Sequence, residues 1–181
     1  MLERIKDIQK ALDAKAYLAA LALALTLPDI CGKIAYPNIK NNGEQYSKWF
    51  DEHITKNEYQ TGYPEKHKIN GAKIWKLRCS FLHAGSVPDI SDISAFELGV
   101  IEPNIPGIYP LSTSLMVEMK DDHFEFHVKL DVVEICSKIC IAADDFFNSW
   151  ADKSAFNDQN GIIIKYQWLT VDALKEMNEQ R

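Results

Sequence analysis

AKAYLAALALALTL, residues 14–27, is the stretch whose reading decides the fold class. Alanine and leucine are strong helix formers. Here they leave almost no polar face, so the helix they form belongs at the centre of a bundle. Working outward, Leu2, Ile5, Ile8 and Leu12 recur at helical spacing, and Asp13 is placed to cap the helix that follows. On the other side Pro28-Asp29 kinks or restarts the helix, residues 30–35 add a turn or two, and 36–43 form a loop. Residues 44–54 read as a third helix with Tyr46, Trp49 and Phe50 on one side, and 55–70 as a polar, Pro/Gly-punctuated loop.

GAKIWKLRCSFLHA, residues 71–84, reads as a fourth helix with Ile74, Leu77, Phe81 and Leu82 facing inward, stopped by Gly85 with Pro88 beyond. Pro88, Pro103, Pro106 and Pro110 then forbid a long helix, so a loop with short strands or turns is expected. Residues 114–119 and 124–130 carry strand formers around Lys120-Asp121-Asp122, the pattern of a β-hairpin. Asp131 is placed to cap an apolar helix running to about Trp150, with a stripe of Val132, Val133, Ile135, Cys136, Ile139, Cys140, Ala143 and Phe147. Residues 162–168 suggest a third strand joining the hairpin, and 171–179 a short terminal helix.

The expectation is therefore a mainly α fold, one domain over residues 1–181. Its bundle helices span 2–85 and 131–150, a loop and β-hairpin elaboration spans 86–130, and a strand and short helix follow at 161–181. A chain of 181 residues that is 46% hydrophobic and 25% charged can bury a sizeable core. The apolar run 16–28 is shorter than the ~20 residues of a membrane span. Glu3, Asp7 and Asp13 precede it, unlike the basic leader of a signal peptide, so a cytoplasmic protein with no membrane partner is expected. Cys31, Cys79, Cys136 and Cys140 sit in apolar patterns, as reduced thiols packed in a core do.

Charge is uneven. Between Glu65 and His83 stand Lys66, Lys68, Lys73, Lys76 and Arg78 against Glu65 alone, a balance of +4 that leaves −10 elsewhere in a chain of net −6. Such a segment attracts polyanions, although a solvated helix face is the commoner reading of a lysine cluster. Within it Arg78 offers a planar fork that matches phosphate oxygens, and His83 a group that gives or takes a proton near neutrality. The helix C-terminus favours the protonated imidazole. Five residues apart means about 140° around the axis and ~7.5 Å along it, so one chain brings the pair together with difficulty and a two-fold copy would do so more easily.

Other readings stand beside this one. Arg78 could form a structural ion pair with Asp29 or Asp51 while His83 caps carbonyls, and Asp29 could equally orient the arginine or histidine. His123 and His127 share one side of a strand, and Cys136 and Cys140 one face of a helix, so a Cys2His2 zinc site is conceivable; yet a Cys-x3-Cys set amid Ile and Val is the pattern of core packing. Trp49, Trp150 and Trp168 read as core or interface anchors, while Trp75, one turn before Arg78, is placed to stack on an unpaired base. There is no Gly-rich phosphate loop, G-x-S-x-G or H-E-x-x-H.

Arg78-x4-His83, set in a helix of a mostly helical bundle, resembles the Arg-x4-6-His motif of the HEPN superfamily, over helices 2–85 and 131–150. The resemblance implies a homodimeric, metal-independent endoribonuclease that cleaves single-stranded RNA without a cofactor, in defence, stress or toxin–antitoxin systems, with an antitoxin or regulatory protein as partner. It implies Arg78 and His83 as catalytic residues, Lys66, Lys68, Lys73, Trp75 and Lys76 as substrate contacts, and Asp29, Cys79 and Ser80 as orienting groups. Cys79 stands where active members often carry Asn, Asp or His, and the alternative is a noncatalytic helical interaction or RNA-binding domain acting as a homodimer.

Overall fold

The computed structural model describes residues 1–57, 68–91, 93–100 and 114–158. Its elements are helices α1 (Leu2–Asp13), α2 (Tyr17–Ala24), α3 (Leu27–Ala35), α4 (Asn42–His53) and α5 (Gly71–Ala84), strands β1 (Ala95–Gly99), β2 (Ser114–Lys120) and β3 (His123–Asp131), then helices α6 (Val132–Ser149) and α7 (Ala155–Asp158). The fold is mainly α with a small mixed sheet. The strand and helix expected at 162–168 and 171–179 lie outside the described residues.

Two boundaries differ from the expectation. Asp13 is the last residue of α1 and caps nothing; α2 starts at Tyr17, behind Ala16, with no side-chain cap. The chain first reverses through Lys15, whose φ of 56° is left-handed, and that turn uses the residues a cap would have needed. The next break comes at Leu25 and Thr26, ahead of Pro28, because proline fits the first turn of α3 where its missing N–H is no loss. Taken together, Tyr17–Ala35 is a 19-residue apolar run, longer than the 16–28 stretch suggested, and long and apolar enough by length and composition to cross a membrane. Its inner side, including Leu21, Leu25, Leu27 and Cys31, is fully buried in the protein core, the condition of a central bundle helix.

Polar caps set α4, α5 and α6. Asn41, Asn70 and Asp131 accept hydrogen bonds from the backbone N–H of Glu44, Lys73 and Glu134 at the starts of α4, α5 and α6. Gly85, with φ of 64°, ends α5 in the left-handed conformation that glycine adopts freely. On α5, Ile74 and Leu77 are fully buried while Phe81 and Leu82 are only half-buried. On α6 the inner aromatic is Phe146, with Phe147 half-buried beside it.

The sheet has the order β1-β3-β2. The hairpin is as expected: β2 and β3 pair antiparallel from Ser114↔Lys129 to Lys120↔His123, and Asp121 and Asp122 both take positive φ, as a two-residue primed turn demands. β1 comes from the proline-punctuated segment and runs parallel to β3, Ala95↔His127 through Gly99↔Asp131. Alternation turns Val128 and Leu130 of β3 and Phe96 of β1 into the same hydrophobic core as Val132, Ile135 and Cys136 of α6. β3 then passes straight into α6 through Asp131.

α5 docks tightly on α4. Gly71 packs where an added Cβ would lie 2.2 Å from the Ser47 carbonyl oxygen, and its N–H donates to Asp51 Oδ1 at 2.7 Å. The obstructing atoms are backbone, so Gly71→Ala must push the helices apart. We expect a loss of about 1–3 kcal/mol, the range for overpacking, read as a lowered denaturation midpoint; wild-type stability would contradict the close approach.

His53, at the end of α4, stacks on Trp49 (centroids 4.9 Å) and meets Phe146 edge-on at 5.3 Å. Burial lowers its pKa, against a smaller opposing pull from Glu52. The folded state thus prefers the neutral imidazole, and this contribution is complete above about pH 6.5, the ordinary histidine value. It is lost as pH falls from there through the lowered folded value. His53→Phe should flatten the fall in melting temperature on that acid side, and parallel curves for variant and wild type would exclude the assignment.

Candidate functional site

The site is built where the C-terminal half of α5 faces the first turn of α3. Asp29 stands in that first turn, where the helix N-terminus favours a carboxylate. Arg78 Nε donates to Asp29 Oδ2 at 3.1 Å, across 49 positions of sequence, with the two side chains 21% and 17% exposed. The Arg78 terminal nitrogen Nη1 lies 3.2 Å from His83 Nε2, and His83 is exposed. The second terminal nitrogen, Nη2, has no hydrogen-bond partner among the described residues.

This contact corrects the expectation that one chain converges Arg78 and His83 with difficulty. The side chains start about 140° apart around the axis, but a guanidinium on its long flexible stem spans that arc once Asp29 and Trp75 hold it on the near side. A guanidinium only donates, so a hydrogen bond at this contact has Nε2 as its acceptor.

Trp75 is half-buried and already engaged. Arg78 Cζ sits 5.2 Å from its ring centroid, the Tyr46 ring packs on it at 5.1 Å, and its Nε1 edge lies against Gly43, where a Cβ would come within 2.7 Å. The indole thus shelves the guanidinium in place of the expected base. Lys73 is buried and its ammonium donates to the Lys68 carbonyl, so it is not offered to a ligand as the sequence reading expected. Lys68 is half-buried and Lys76 is exposed on α5. Lys66 lies outside the described residues. Cys79 and Ser80 are half-buried neighbours of Arg78.

Burial raises the Asp29 pKa, outweighing the charge and hydrogen bond of Arg78 and the charge of Lys33, which pull it down. Tyr46, whose ring packs on Trp75, is in the sequence one of three aromatics on one side of a helix, and nothing in its spacing marks it as part of the site. The alternative pairing of Arg78 with Asp51 is not made, since Asp51 accepts from Gly71 and from Thr55 Oγ1 at 3.0 Å.

The zinc constellation is divided between two sides of the sheet. Cys136 is sealed in the core, and burial pushes its thiol up to about 12 and that of Cys140 to about 11. Alternation along β3 turns His127 to the face opposite Val128 and Leu130. There His127, Glu125 and Glu118 bring one ligand atom each within 4.8 Å of one another, a set that could reach a metal ion. Glu125 is also bridged by His127 Nε2 at 3.3 Å and Lys120 Nζ at 3.4 Å.

No family model, curated protein or solved structure matches this chain. The residues of the site are therefore read on their own chemistry. Because burial dominates at Asp29, Asp29→Asn should stay within about 1 kcal/mol of wild type, keeping an acceptor for Nε. Asp29→Ala should cost on the order of 1–3 kcal/mol, between the exposed and buried ion-pair ranges. Equal losses in chemical denaturation would mean the contact only fills space.

Proposed function

We propose that the chain is a metal-independent endoribonuclease of HEPN type acting on single-stranded RNA. The observation that carries this reading is the Arg78–His83 contact at the exposed end of α5, with a guanidinium nitrogen still unengaged among the described residues and the imidazole itself exposed. RNA supplies its own nucleophile, the 2′-hydroxyl. As a phosphodiester enters, Arg78 Nη1 and Nη2 turn to its non-bridging oxygens and His83 Nε2 is released to take the 2′-hydroxyl proton. The alkoxide attacks phosphorus, the P–O5′ bond breaks, and the product is a 2′,3′-cyclic phosphate. One imidazole cannot be base and acid in the same step. His83 of a second copy, in a two-fold homodimer, would protonate the departing 5′-oxygen, which is the chemical reason to keep the dimer.

A second reading has its own support. Arg78 is tied to Asp29 and shelved on Trp75, and Cys79 replaces the polar residue usual in active members, which favours a noncatalytic helical interaction domain. Incubation with single-stranded RNA in EDTA separates the two. Cutting that leaves cyclic phosphate ends, spares DNA and falls at least about 100-fold in both His83→Ala and Arg78→Ala supports the enzyme. RNA left intact by the wild type refutes it.

A further inference from the structure

On the face of the sheet turned away from the core, β3 carries Glu125 and His127 two positions apart, and the hairpin register sets Glu118 of β2 directly opposite Glu125. Like charges facing each other across a ladder weaken it. Lys120 offsets one of them, its Nζ lying 3.4 Å from Glu125 Oε1, while Glu125 Oε2 lies 3.3 Å from His127 Nε2. The two oxygens of one carboxylate are thus divided between an ammonium and an imidazole. Glu118 adds a second carboxylate, and the three side chains bring one ligand atom each within 4.8 Å of one another. Glu125 and His127 are 20% and 22% exposed, so both are held by their surroundings and still reach solvent.

We propose that Glu118, Glu125 and His127 form a binding site for a first-row divalent transition metal, with Zn2+ as the ion that tests it. Ligand type argues for that class: an imidazole nitrogen beside carboxylates suits zinc and its neighbours, whereas Mg2+ and Ca2+ take oxygen ligands. Spacing argues for it as well. Donors ~2.0–2.2 Å from a tetrahedral ion stand about 3.3–3.6 Å from one another, and Nε2 of His127 is already 3.3 Å from Oε2 of Glu125. Glu118 is the exposed member and closes the remaining distance by turning its side chain. An ion seated there replaces any proton between Nε2 and Oε2, leaves Oε1 to Lys120, and converts the repulsion of two facing carboxylates into attraction for a common charge. Three protein ligands leave a fourth position to water. Because the ligands come from both strands, the ion also clasps β2 to β3. The inference is independent of the reading of Arg78 and His83.

Titration calorimetry of the untagged, metal-stripped protein with zinc chloride is the test, with magnesium chloride as reference. Zinc should bind saturably at one ion per chain and raise the melting temperature, because it binds the folded hairpin; magnesium should do neither. His127→Gln and Glu118→Gln should each weaken zinc binding by about tenfold or more, the least that even an outer-shell partner of a metal ligand is worth. Lys120→Gln should tighten it, since a competing cation is gone from Glu125. A gain of that kind cannot come from a damaged fold. Cys79→Ser and Cys140→Ser, at the two thiols not sealed in the core, should leave the affinity unchanged. Absence of saturable zinc binding, equal binding of magnesium, an affinity indifferent to His127→Gln and Glu118→Gln, one that Lys120→Gln does not raise, or one lost with the thiols would each overturn the proposal.

Discussion

The close docking of α5 on α4 governs the rest of the site. Gly71 has no Cβ to hold the helices apart, and Asp51 takes its N–H, so α5 starts against the backbone of Ser47 and runs from there toward α3. Seven residues along, Arg78 arrives beside Asp29, and five further on His83 emerges at the exposed end. Any shift at the start of a rigid helix is carried to its far end, so a contact between backbone atoms near residue 71 sets the position of side chains about 10 Å away along the axis.

Electrostatics then divide the cations of this segment into three fates. Lys73 turns inward to a carbonyl, Arg78 is balanced by Asp29, and Lys76 remains on the surface. The charges counted along the sequence are therefore not equally offered to solvent. Arg78 presents a directed donor set on one guanidinium, held from one side by a carboxylate and from another by an indole. Such a group is preorganised at a cost, because burial weighs against the charge of the Asp29 carboxylate that holds it.

The sheet shows the same division by side. Along β3, Val128 and Leu130 enter the common core, while Glu125 and His127 form a polar cluster with Glu118 and Lys120 on the other face. Strand alternation separates His127 from the buried thiols of α6, which no count of Cys and His in a linear sequence could reveal.

The mainly α class, the helices around residues 44–54 and 71–84, the stop at Gly85, the hairpin about Asp121-Asp122 and the cap at Asp131 were all legible in the sequence, because each follows from local periodicity or from one residue's backbone preference. Asp13 misled, since a capping residue type is only useful where the chain does not first have to turn. The pairing of β1 with β3, the choice of Asp29 over Asp51, the inward turn of Lys73 and the packing of Tyr46 against Trp75 belong to the tertiary structure alone. Each depends on which atoms meet across tens of residues, and those distances are set by helix packing, to which local pattern is blind.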